Sequence, residues 1–182
     1  VGQARALQDL ARTANVRMVV LSIGGNDFGF ADVVGTCVKN FLLSLAVLQN
    51  LCSDDESVTA RFSADEIAGR TAAVGAAIDN VRTAMTNAGY RPSQYRLVVQ
   101  NYASPLPPGS AFRYPQSGRA RQSVGGCGFW DRDADWANDT ALRTINAAVA
   151  SAVARAGGDV RLLDVSDAFA GRRLCEDTVG LL

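Results

Sequence analysis

Apolar side chains along this 182-residue chain recur with two different periods, which mark out alternating helices and strands. Residues 2–13 carry Ala6, Leu7 and Leu10 at helical spacing and predict a short amphipathic helix. RMVVLSI (17–23) is instead a continuous apolar run, as in strands covered on both faces. Residues 28–62 read as irregular, with FLLSLAVLQNL (41–51) the one candidate helix between two cysteines. Ser63-Ala64-Asp65-Glu66 is a capping box, a Ser side chain for the first-turn N–H groups with a Glu three residues on. It opens a helix to about Asn87, apolar at Ile67, Val74, Ile78, Val81 and Met85, with Gly89 as its stop signal. YRLVVQNY (95–102) is a second apolar strand. Residues 103–136 hold every proline but Pro92 and read as a long loop, of the kind that is usually functional in a compact domain. A third helix follows over 138–156, with Leu142, Ile145, Val149 and Val153 on one face, and DVRLLDVS (159–166) is the third strand.

Strands alternating with helices at this spacing predict βαβ units. The expected class is α/β, a parallel sheet with helices on both faces in three layers, as one domain over 1–182. In such sheets, sites form outside the carboxyl ends of the strands. Two of these ends run into amides: Ile23-Gly24-Gly25-Asn26-Asp27 and Val99-Gln100-Asn101-Tyr102.

The first of them poses a chemical question. A plain turn needs one Gly with an Asn or Asp, and GGND supplies more than that. As turn chemistry, the four residues tolerate positive φ and reverse the chain. As site chemistry, glycines admit a substrate oxygen to hydrogen-bond reach, and an Asn N–H beside the Gly25 backbone N–H can hold a developing oxyanion.

Composition narrows the choice of partners. Charged residues are 20% and apolar residues 48%, which is globular, and the formal charge is zero. Lys39 is the only lysine among the 18 basic residues, an Arg-for-Lys skew that fits a GC-rich genome better than a recognition surface. No basic stripe of the kind nucleic acid requires is present, and no apolar stretch approaches the ~20 residues of a membrane span. FLLSLAVL (41–48), the longest, is too short and contains Ser44. The opening VGQARALQDL, inside a predicted helix, and the closing EDTVGLL are both abrupt, and a fragment or processed chain is the expectation.

Four cysteines, Cys37, Cys52, Cys127 and Cys175, stand without a CxxC pair and without any histidine. A zinc site would have to use thiolates at unusual spacing, so no metal is expected. Three disulfide connectivities are open. The local one, Cys37–Cys52 with Cys127–Cys175, is preferred here, its loops worth about 3 and about 4 kcal/mol in the chain-entropy model. Disulfides imply an oxidising compartment, hence secretion; four free buried thiols in a cytosolic protein are the alternative.

The apolar strand into GGND, the cysteine loop after it, QNYASPLP at the next strand end, and GCGFWDRDADWANDTALRTINAAVASAVARAG leading to DVSDAFAGRRLC together resemble the SGNH (GDSL-like) hydrolases. Secreted actinobacterial esterases and lipases are the nearest type, and the resemblance covers nearly the whole chain. It implies a flavodoxin-like fold, incomplete here at both ends, and carboxylic ester hydrolysis without a cofactor. The family's GxND block is matched by Gly24-Gly25-Asn26-Asp27, which implies Asn26 as an oxyanion-hole donor. Disulfides in the loop after that block, and between a late loop and the segment after the last helix, would fit Cys37–Cys52 and Cys127–Cys175.

The departures are as definite. The family's nucleophilic serine lies in a GDS motif and its base in a DxxH motif, and neither occurs here. Residues 1–182 therefore correspond to the middle of such an enzyme. Ser22, Ser104 and Ser166 are not substitutes, since none has a base.

Other candidates carry less. Asp131, Asp133 and Asp135 resemble the start of a calcium loop, but Trp136 stands where Gly is needed and Leu142 where Glu is needed. A glycosidase pair is equally unsupported by alternating spacing, and a solvated acidic loop is the expected role. Phe129, Trp130 and Trp136 could line an acyl or aromatic pocket, with Asn101, Tyr102 and Trp130 the candidate substrate contacts. Gly125-Gly126-Cys127-Gly128 follows no strand and opens no helix, so it is no dinucleotide fingerprint, and Arg172-Arg173 is too short for a basic patch.

The expected function is ester hydrolysis of a small-molecule or lipid ester, with serine and histidine supplied by segments outside this stretch. The rival is an SGNH-like module that binds carbohydrate or a protein partner without turnover. A third arrangement puts the missing segments on a second chain.

Overall fold

The computed structural model describes residues 2–180. The elements run α1 (Gln3–Ala11), β1 (Met18–Ser22), α2 (Phe30–Leu43), α3 (Glu56–Thr59), α4 (Ala64–Asn87), β2 (Arg96–Gln100), α5 (Ala120–Ser123), α6 (Asp131–Trp136), α7 (Arg143–Ala156) and β3 (Val160–Leu163). The three strands are parallel in the order β1-β2-β3, with Val20 opposite Val98 and Val98 opposite Arg161. The α/β class with a parallel sheet, expected from the periodicity, is the architecture found. At the head of α4, the Ser63 hydroxyl accepts the Glu66 N–H (3.4 Å), one half of the capping box. Glu66 does not reach back; its carboxylate pairs with Arg70 one turn on.

The core lies between the sheet and three helices. Val74, Ile78 and Met85 of α4 and Val149 and Val153 of α7 pack on Leu97 and Val99 of β2, with Ala11 of α1 closing the cluster. The other face of the sheet differs from the expectation of cover on both sides. Met18 and Val20 point there and are 57% and 55% exposed. The physical reason is topological. Both crossovers, β1 to β2 through α4 and β2 to β3 through α7, advance in one direction across the sheet. Right-handed crossovers then place both helices on the same side, and helices change sides only where strand order reverses.

Both disulfides have the local pairing, Cys37–Cys52 with Cα atoms 4.8 Å apart and Cys127–Cys175 at 6.3 Å. They anchor a second cluster with Val33, Phe112, Phe129 and Ala134, away from the sheet.

Three local expectations change. Residues 41–51 are not a helix of their own: α2 starts at Phe30, buries Val33, Cys37 and Phe41 at i, i+4 and i+8, and stops at Leu43, where Ser44 turns extended. The supposed loop 103–136 contains a 3₁₀ turn at Gly109–Ala111, α5 and α6, and π-helical turns over Ala137–Leu142 fuse α6 to α7. The acidic triplet is therefore helical, and its side chains diverge to three separate partners. Asp131 pairs with the buried Arg121 at 2.8 Å. Asp133 accepts the N–H groups of Cys52 and Ser53 at 3.1 and 3.0 Å, and Asp135 accepts the Gly109 N–H at 2.8 Å. All three tie segments together, but only Asp133 is fully buried; Asp131 is half-buried and Asp135 stays exposed to solvent.

Candidate functional site

β1 delivers its carboxyl end into a string of tight turns. Gly24 has φ of +108°, a conformation that L side chains rarely adopt, and its carbonyl accepts the N–H groups of Asp27 and Phe28. The Asn26 carbonyl accepts the Gly29 N–H, and Gly29, at φ +64°, turns the chain into α2. Gly25 lies under the Tyr102 ring: a Cβ there would come within 3.0 Å of it. The GGND block is thus a turn in its backbone. Its two glycines serve different needs, one a positive φ and one a close approach.

The Asn26 side chain projects from this turn. It is exposed, and its amide makes no hydrogen bond among the described residues. It lines a cleft of about 660 Å³ at the carboxyl ends of β1 and β2, together with Gly25, Phe30, Tyr102, Pro105 and Leu142. A small apolar pocket of about 40 Å³ adjoins the cleft, sharing Phe30, Pro105, Leu142 and Ile145 and reaching Phe129.

Tyr102 is the second residue this geometry brings to Asn26. Its hydroxyl accepts the Gly25 N–H at 2.9 Å, so that backbone donor is already engaged. Its own backbone is gripped on both sides by Asn146 of α7, which accepts the Tyr102 N–H (2.9 Å) and donates to the Tyr102 carbonyl (2.8 Å). Tyr102→Phe removes the partner of a buried glycine N–H. It is expected to cost about 1–3 kcal/mol, read as a drop of several degrees in Tm at roughly 2–4 °C per kcal/mol. An unchanged Tm would mean that water takes the hydroxyl's place.

The remaining expected contacts lie elsewhere. Asn101 is buried at the β2–β3 junction, where its amide donates to Asp164 (2.7 Å) and its carbonyl accepts the Val165 N–H (2.7 Å). Trp130 is buried against Phe41, ring centroids 4.6 Å apart, and does not line the cleft. Trp136 packs edge-on to Phe62. Ser104, also buried, is engaged with the Leu106 carbonyl and the Asn138 amide.

Sequence reasoning missed Phe30, Pro105, Leu142 and Asn146. Leu142 and Asn146 had a usable signal, since they sit four residues apart on one helical face, with Ile145 beside them.

The Asn101 clamp has a pH signature. The Ser166 N–H and then the Asn101 amide hold the Asp164 carboxyl below its ordinary value. A lowered folded-state pKa gives stability that is present above the unfolded-state value and lost as pH falls through the folded one. The protein should therefore lose Tm more steeply below about pH 4 than its Asp164→Asn variant, whose amide does not titrate. Parallel Tm-versus-pH curves would remove this role from Asp164.

One cluster of metal-capable groups occurs among the described residues: Cys37, Cys52 and Asp133, with ligand atoms within 4.8 Å of one another. Both sulfurs are in the disulfide and both carboxylate oxygens accept backbone N–H groups, so the set does not suit a cation. No helix among the described residues is long and apolar enough to cross a membrane.

Among solved structures the chain is similar to the extracellular lipase of Streptomyces rimosus, with 26% identity, 88% of this chain and 54% of that one covered, and a TM-score of 0.43. The chain spans about half the length of that lipase. No family model and no curated protein matches the chain.

Proposed function

We propose that these residues form the oxyanion-stabilising part of a secreted carboxylic ester hydrolase of the SGNH type. The observation that carries the reading is Asn26: an unengaged side-chain amide on the wall of a cleft at the strand ends, aimed by a turn that two glycines make possible. As an ester carbonyl goes tetrahedral, its oxygen gains charge, and a fixed N–H donor stabilises that state more than the ground state. The Gly25 N–H would join only if the Tyr102 hydroxyl released it, so Asn26 is the donor assigned here. Phe30, Pro105, Leu142 and Ile145 give the cleft an apolar wall suited to the acyl part of an ester.

The chain has no histidine, and Ser22, Ser104 and Ser166 have no base, so on this reading nucleophile and base would be supplied by other parts of the protein. The test is hydrolysis of p-nitrophenyl butyrate by the intact protein, with and without Asn26. Turnover that depends on Asn26 supports the reading. A folded intact protein that leaves the ester untouched overturns it and favours the binding module.

A further inference from the structure

The cysteine loop carries an apolar surface that the cleft does not use. In the last turn of α2 and the turn that follows it, Leu42, Leu43, Leu45, Val47 and Leu48 are 53%, 75%, 68%, 85% and 75% exposed. This is a built turn rather than a loose strand. The Leu48 N–H donates to the Leu45 carbonyl at 2.9 Å, the two residues bridge antiparallel, and Ala46-Val47 form the tip. At its root the Ser44 hydroxyl donates to the Asn40 carbonyl, and the Cys37–Cys52 disulfide closes the whole excursion. Ordering five apolar side chains toward water has no folding benefit, because burial is what makes them favourable.

Behind the turn is a hollow of about 450 Å³, lined by Phe41, Val47, Gln116, Arg119, Gln122 and Trp130. Trp130 is 2% exposed, and its indole N–H has no partner among the described residues. Arg119 is exposed and makes no ion pair among the described residues. No Asp or Glu occurs in 33–53 or in 105–130, the two segments that build this surface. Lys39, a turn earlier on α2, is exposed but does not line the hollow, so Arg119 is the cation at the hollow itself.

We infer that the 42–48 turn docks the protein on a phospholipid surface, its apolar tip entering the acyl boundary while Arg119 meets headgroup phosphate. Apolar side chains beside a cation are what an interfacial anchor needs, and the segment is too short to span. The α2 axis separates this anchor from Asn26 by roughly 20 Å, at 1.5 Å per residue. The anchor and the ester-binding cleft are therefore separate surfaces of the chain.

The test is sedimentation of the intact protein with vesicles of ether-linked phosphatidylcholine and phosphatidylglycerol, which no esterase can cleave. The wild type should bind, Val47→Glu should bind at least tenfold more weakly at unchanged Tm, and the fluorescence of Val47→Trp should shift to the blue on vesicle addition. Arg119→Glu should weaken binding further as the anionic fraction rises. Equal binding by wild type and Val47→Glu, or none by the wild type, would overturn the inference. So would a lipid-free dimer that Val47→Glu dissociates, which would assign the turn to a second copy of the chain.

Discussion

Asn26→Ala in the intact enzyme is expected to lower kcat for a p-nitrophenyl ester by about a hundredfold or more, with KM nearly unchanged. Removing one oxyanion donor typically costs about 3 kcal/mol of barrier. The loss belongs in kcat because the carbonyl oxygen of the bound ester gains little from the donor before it carries charge. The fold gives the variant a clean reading. The Asn26 side chain is exposed and makes no hydrogen bond among the described residues, and its backbone carbonyl, which does, is kept by alanine. Its stability should therefore stay within about 0.5 kcal/mol of the wild type. An unchanged kcat would remove Asn26 from the chemistry and leave GGND as a turn only.

The largest expected effect on stability comes from the second disulfide. Replacing Cys127 and Cys175 together with Ser opens a loop with a sequence separation of 48 and should cost about 4 kcal/mol in the chain-entropy model. The bridge also anchors packing. It sits in the cluster of Phe112, Phe129 and Ala134 and holds the segment after β3, where Glu176 bridges to Phe112. Denaturant titration of the double variant against the wild type reads the difference. A loss below about 1 kcal/mol would show that those packing contacts hold the segment without the bridge.

Much of the architecture was legible because local physics determined it. The Ser63 cap, the 3.6-residue period of Val74, Ile78, Val81 and Met85, and the apolar β1 and β2 runs each describe a short segment, and the structure places elements there. The same logic failed where the deciding neighbours were distant. Residues 131, 133 and 135 look like a solvated acidic loop, yet they are helical, and Arg121 and the Cys52 and Ser53 N–H groups take Asp131 and Asp133 out of open solvent, while Asp135 stays exposed beside the Gly109 N–H. Asn101 looked like a ligand contact for the same reason, since an amide at a strand end reads alike whether it meets substrate or Asp164.

By itself the sequence determined the α/β class, the parallel sheet, the helix that opens at Ser63 and the turn that presents Asn26, because all of these follow from periodicity, capping and glycine. Tertiary structure alone decided which sheet face is covered, since that depends on the direction in which successive crossovers advance. It alone brought Tyr102 onto Gly25, separated Trp130 from the cleft, and left the 42–48 turn bare. Contacts between residues dozens of positions apart leave no period in the chain, and only packing sets them.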